Sequence, residues 1–108
     1  MGNATTILPA LHEKRSELEA LCREFSVLRL EVFGSAADGS FDASRSDIDF
    51  LVEFGQSTEL NAFRQFFGFQ IALEDLFGRK IDLLDLTALR NPFLIKSINK
   101  SRKPLYAA

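Results

Sequence analysis

The stretch "FGSAADGSFDASRSDIDFLVEFG", Phe33 to Gly55, decides the fold because its two halves obey different rules. In its second half the residues alternate. Successive side chains of an extended chain point to opposite faces, and residues two apart share a face about 7 Å apart. Asp47 and Asp49 therefore project from one side of "DIDFLVEF", and Ile48, Phe50 and Val52 from the other. That is a strand with one face for a core and an acidic pair at its mouth. The first half, rich in glycine, serine and aspartate, reads as a loop with one helical turn starting after Ser35.

Working outward, "VLRLEVF" before the loop puts Leu28, Leu30 and Val32 on one side and Arg29 and Glu31 on the other. Beyond it, "RKIDLLDL" is a third strand. If Ile81 and Leu83 face the core, Asp82 joins Asp47 and Asp49 on the open face, while Asp85 falls on the buried side near the strand's end. Helical spacing of Leu11, Leu18, Leu21, Cys22 and Phe25 predicts a helix from Pro9 to about Phe25. A long helix from about Glu59 to Phe77 is capped by Ser57 or Thr58 and stopped by Gly78. Asn91 and Pro92 start a last helix to about Ser101, and Pro104 ends it before the tail "LYAA". The order α-β-β-α-β-α predicts an α+β, two-layer fold: a small mixed sheet of about three strands, packed on one face by helices, in one domain over residues 1–108.

Composition narrows the function. A formal net charge of −2 gives no basic excess, so direct nucleic-acid binding is not expected. No apolar run approaches the roughly 18 residues needed to span a bilayer, and "MGNATTILPALHEKR" lacks the pattern of a signal peptide. A single cysteine, Cys22, fits a reducing compartment and a small hydrophobe's role. The expectation is a cytoplasmic protein without a membrane partner.

Three carboxylates on adjacent strands repel one another, and a divalent cation removes the conflict. Hard oxygen ligands without histidine or thiolate favour Mg²⁺, with Mn²⁺ as the alternative. Two such ions, held by carboxylates and substrate phosphates, are the usual phosphoryl-transfer arrangement. An isolated D-x-D more often just solvates a strand entrance; the loop upstream and Asp82 in register reverse that preference. Gly34 and Ser35, directly after a strand, allow close backbone approach and supply donors for phosphate oxygens.

Taken together, "FGS" at Phe33 to Ser35, Gly39, "SDIDFLVEF" at Ser46 to Phe54 and "GRKIDLLDL" at Gly78 to Leu86 resemble the DNA polymerase beta-like nucleotidyltransferase superfamily. Within it the chain looks most like the minimal nucleotidyltransferases, or MNT proteins. The resemblance implies that Gly34 and Ser35 hold nucleotide phosphates, that Asp47 and Asp49 bind two metal ions, and that Asp82 completes the metal site and helps activate an acceptor hydroxyl. It also implies a HEPN-domain toxin as partner, ATP as substrate, and transfer of AMP to a partner tyrosine that makes the chain an antitoxin. In one place the chain departs from that pattern: "GSAADG" puts Ala36 and Asp38 where many relatives carry arginines. Arg45 in the same loop, or Arg79 and Lys80, are the candidate replacements for the missing phosphate-binding charge. The competing expectation is a catalytically weak fold that neutralises its partner by covering it. Transfer to a small molecule ranks last, because the chain is short for the additional domain that usually forms such a pocket.

The long helix carries more phenylalanine than one core face needs. Leu60, Phe63, Phe67 and Ile71 form one stripe, and Phe66, Phe69, Leu73, Leu76 and Phe77 a second. Together they cover roughly 220° of the helix against the 100° or so of one buried face. Either the domain wraps this helix deeply, or the second stripe docks a partner or a second copy, giving a hetero-complex or homo-oligomer through helix 59–77. His12, the only histidine, is expected at the surface.

Overall fold

The computed structural model describes residues 9–38 and 47–108. Gly39, Arg45 and Ser46, which the sequence places in the loop, lie outside the described residues.

The expected first helix forms in two pieces, α1 (Pro9–Glu13) and α2 (Arg15–Glu24), with Lys14 irregular between them at φ −103°, ψ 21°. Strand β1 (Val27–Phe33) follows, then the single turn α3 (Ser35–Asp38) and strand β2 (Ile48–Phe54). Helix α4 (Ala62–Phe77), strand β3 (Ile81–Asp85), a 3-10 turn (Leu86–Ala88), helix α5 (Pro92–Asn99) and strand β4 (Lys103–Ala107) complete the order. The α+β class stands, with one more strand than expected. In the sheet, of order β3-β2-β1-β4, β1 is antiparallel to both β2 and β4, and β2 is parallel to β3.

The extra strand is the main correction. "KPLYA" contains a proline and is too short to alternate visibly, yet it pairs along the edge of β1, from Val32↔Lys103 to Arg29↔Ala107. The α5 helix accordingly stops at Asn99, two residues before the expected Ser101. The start of α4 also differs. Ser57 Oγ accepts the amides of Glu59 and Leu60 in a separate turn, and the helix is capped by Asn61, whose side chain accepts the Arg64 amide. Gly78 stops α4 as expected, in the left-handed region at φ 65°. Asn91 caps α5 through the amides of Phe93 and Leu94.

Leu30, Val32, Ile48, Phe50, Val52, Ile81 and Leu83 line the core face, which packs against Leu18 and Cys22 of α2 and Phe69 and Leu73 of α4. Leu28, expected with them, is exposed. A bulge between Val27 and Arg29 in the pairing with β2 gives Val27 the inward position and turns Leu28 out. Cys22 is buried as expected, and burial first, then the nearby Glu19 charge, push its thiol up to about 12, so it is inert as a nucleophile.

On α4 the roles of the two stripes are the reverse of the expectation. Phe69 and Leu73 are core, with Phe66, Leu76 and Phe77 packed against it, whereas Phe63, Phe67 and Ile71 of the first stripe are exposed. Gln65 is buried on the same helix because its side-chain amide donates to the carbonyls of Phe25 and Gly55, tying α4 to the ends of α2 and β2. No helix among the described residues is long and apolar enough to cross a membrane.

Candidate active site

The site assembles where β1 ends and β2 and β3 begin. Pairing places Phe33 beside Asp49 and Asp49 beside Asp82, so one row runs across three strands at neighbour spacings of about 4.8 Å. The alternation that drives Ile48, Phe50, Ile81 and Leu83 into the core puts Asp49 and Asp82 together on the opposite face. Asp85 is only partly buried, and its carboxylate accepts from the Thr87 amide and hydroxyl, capping the 3-10 turn.

Asp49 carries the electrostatic strain of this arrangement. Burial, then the Asp82 charge, a hydrogen bond with the Asp82 carboxyl and the Asp47 charge raise it from an ordinary 3.8 to about 6. Asp47, just before β2, stands with its Oδ2 3.9 Å from the ammonium of Lys80. The expected three carboxylates are therefore neighbours, but among the described residues no three acidic, histidine or cysteine side chains close around one point. The contact between Asp49 and Asp82 is made, and Asp47 faces a lysine cation instead. Lys80 thus lies beside the site and is mostly exposed.

Gly34 forms the wall of the site. Its φ of 70° is costly for any side chain, and a Cβ there would lie 2.5 Å from Asp49 Oδ2. The carboxylate occupies the space that a side chain would need. The Gly34 carbonyl accepts the amides of Ala37 and Asp38, which closes α3; the Ser35 and Ala36 amides stay outside these bonds. The Gly34 amide itself is not a free phosphate donor here, since it donates to Ser101 Oγ at 2.8 Å. Nothing in the local sequence signals this contact, because it joins residues 67 apart in the chain.

A second link from the same C-terminal segment was equally illegible. Glu31, read as an open-face residue, is 8% exposed, and its carboxylate accepts from Arg102 Nε at 2.6 Å. Leu51, also on this face, is 1% exposed. The face opposite the helices is therefore covered in its middle, with the aspartates at one end and the exposed Arg29, paired with Glu53, at the other.

Ala36 has a structural explanation. It is 1% exposed and belongs to the core, so a guanidinium at this position would have to enter an apolar interior. Ala36→Arg should consequently fail to restore phosphate-binding charge and should cost about 3 kcal/mol or more in urea unfolding, through overpacking and a buried cation. An Ala36→Arg protein as stable as the parent would remove this explanation. Asp38, the other departure, is exposed.

The profile of the nucleotidyltransferase domain family matches residues 15–105. Two Methanocaldococcus jannaschii proteins that carry the name protein adenylyltransferase are 35% and 31% identical over 86 residues, 80% of this chain and 84% of each relative. A solved minimal nucleotidyltransferase is similar over 94% of this chain and 99% of its own, with a TM-score of 0.72 and 26% identity. A Shewanella oneidensis complex of a tri-AMPylated HEPN toxin with an MNT antitoxin matches 91% of this chain and 73% of its own, with a TM-score of 0.62. At 18% identity, that likeness is one of fold.

Proposed function

The chain belongs to the nucleotidyltransferase domain family, and from that premise we propose that it transfers AMP from ATP to a hydroxyl, a tyrosine's, on a HEPN-domain partner whose toxicity it suppresses. The observation that carries the reading is the row Phe33, Asp49 and Asp82, with Gly34 packed onto the Asp49 carboxylate. Support for the acceptor and partner comes from relatives named as protein adenylyltransferases and from the fold shared with an MNT antitoxin whose HEPN partner is AMPylated.

In the proposed reaction the acceptor oxygen attacks the α-phosphorus of ATP. A new phosphorus–oxygen bond forms, the bond to the β-phosphate oxygen breaks, and pyrophosphate leaves. Asp82, the most exposed member of the Asp49–Asp82 pair, takes the acceptor proton. The Ser35 hydroxyl and the Ser35 and Ala36 amides are the turn's remaining donors for phosphate.

The donor set suits Mg²⁺ or Mn²⁺: oxygen ligands only, with one carboxyl, Asp49, pushed up by burial and then by the neighbouring carboxylates. Asp47, Asp49 and Asp82 would hold the ions, with Asp47 exchanging Lys80 for metal. Bound metal would supply neutralisation of the charge that develops on the phosphates and the leaving group.

A pH dependence follows. Because Asp49 is raised to about 6, a cation must displace a proton below that pH and none above it. Affinity for Mg²⁺ should therefore rise about tenfold from pH 5 to pH 7 and then level off. Titration calorimetry in buffers of different ionisation enthalpy should record close to one proton released at pH 5 and almost none at pH 7.5. Affinity independent of pH across this range would contradict the assignment of Asp49 as a ligand.

The function itself is tested by incubating the chain with Mg²⁺, ATP and the partner, and measuring the partner's intact mass. Each transfer adds one AMP group, and an unchanged mass rejects the enzyme reading. The exposed Phe63, Phe67 and Ile71 favour direct contact with a partner. If neutralisation survives loss of the aspartates, covering rather than modification is the mechanism.

A further inference from the structure

We infer that Ser101, in the segment between α5 and β4, is a positioning residue for the site: it pins Gly34 and, through Gly34, the carboxylate of Asp49. The inference rests on the nucleotidyl-transfer reading above and goes beyond it by assigning a role to a residue outside the strand row and the glycine-serine turn.

Three observations meet at this residue. First, Ser101 Oγ accepts the Gly34 amide at 2.8 Å. Second, Gly34 sits at φ 70° with its Cα face against Asp49 Oδ2. Glycine visits positive and negative φ with similar ease, so its own preferences do not hold it there. The bonds on its two polar groups do. Its carbonyl is held by the amides of Ala37 and Asp38, and its amide by Ser101.

Third, the anchor is itself fixed. The amides of Ser101 and Arg102 both donate to the Ile98 carbonyl, at 3.1 and 3.0 Å. Arg102 donates to the buried Glu31 carboxylate at 2.6 Å and to the Asn99 side chain at 2.9 Å. Lys103 then enters the sheet opposite Val32. Ser101 is thereby clamped between a helix end and the strand whose last residue precedes Gly34, and it delivers that rigidity to the site.

Asp49 is half-buried, with the Asp82 carboxyl hydrogen-bonded to it on one side and Gly34 against its Oδ2 on the other. Its steric stop is Gly34. If the glycine relaxes, the carboxylate loses that stop and can turn away from the geometry needed for reaction. Misplacement of a reacting group by about 1 Å costs on the order of 10²-fold in rate.

The test compares Ser101→Ala with Ser101→Thr, which keeps the hydroxyl, by two readouts. One is hydrogen exchange at the Gly34 amide in the metal-free protein. The other is the kinetics of AMP transfer from Mg·ATP to the protein acceptor. Ser101→Ala should exchange the Gly34 amide at least tenfold faster and lose 10- to 100-fold in kcat, with KM for ATP within about threefold of the parent. Ser101→Thr should return both readouts to within about threefold. The positioning role is overturned if Ser101→Ala keeps parental kcat, if its loss lies in KM alone, or if Ser101→Thr is as impaired as Ser101→Ala. Failure of the underlying reading shows elsewhere, as absence of transfer by the parent protein, and that outcome removes the role as well.

Discussion

Asp49→Asn is expected to lower kcat for AMP transfer by about 10³-fold, equivalent to roughly 4 kcal/mol of transition-state stabilisation, while making the protein more stable at neutral pH. The opposite signs are the diagnostic feature. Asp49 is raised to about 6 by burial, by the Asp82 charge and hydrogen bond, and by Asp47. Raising an acid's pKa means that the folded state disfavours the carboxylate. The resulting stability deficit is absent below the unfolded value near 4, grows between pH 4 and pH 6, and is complete above pH 6. A neutral amide of the same size does not suffer it and can still hydrogen-bond Asp82.

Since Asp49 is only half-buried, solvent screening limits the expected gain at pH 7.5 to about 1 kcal/mol. Urea unfolding and transfer kinetics on the same preparation measure both sides. A variant that is inactive and also less stable would show that Asp49 supports the fold rather than bearing strain for chemistry. A variant within tenfold of parental kcat would remove Asp49 from the reaction.

Gly34→Ala should lose both stability and activity. An L-residue in the left-handed region costs about 1–2 kcal/mol. The added methyl would also stand 2.5 Å from Asp49 Oδ2, far inside contact distance, so the carboxylate must move. We expect a total loss of about 3 kcal/mol and a fall of about 10²-fold in kcat.

The two contributions separate in a double-mutant cycle. In an Asp49→Ala background the clashing oxygen is gone, and Gly34→Ala should then cost only its backbone term. The interaction energy should be about 1–2 kcal/mol. Equal costs in the two backgrounds would mean that Gly34 is required for its backbone conformation alone and does not brace Asp49.

Much of the site was legible because its logic is local. Ile48, Phe50 and Val52 face the core while Asp49 faces away because side chains alternate along any extended chain, and the same rule puts Ile81 and Leu83 inward and Asp82 outward. Gly78 and Asn91 are helix punctuation for equally local reasons. Ala36 was visible as a departure from the resembled pattern, but its cause was not: only packing shows that position 36 belongs to the core.

Which residues share a face and where helices stop can be read from the chain alone, since both follow from the covalent repeat and the backbone groups of a few neighbouring residues. Folding in three dimensions settled the rest. It brought β4 to the vacant edge of β1, where pairing makes a strand of five residues that carry no clear period. It turned Leu28 outward through a bulge that exists only relative to β2. Above all, it set Phe33, Asp49 and Asp82 in one row and laid Ser101 on Gly34. Register and closure depend on hydrogen bonds between segments far apart in the chain, and no local pattern records which amide will meet which oxygen.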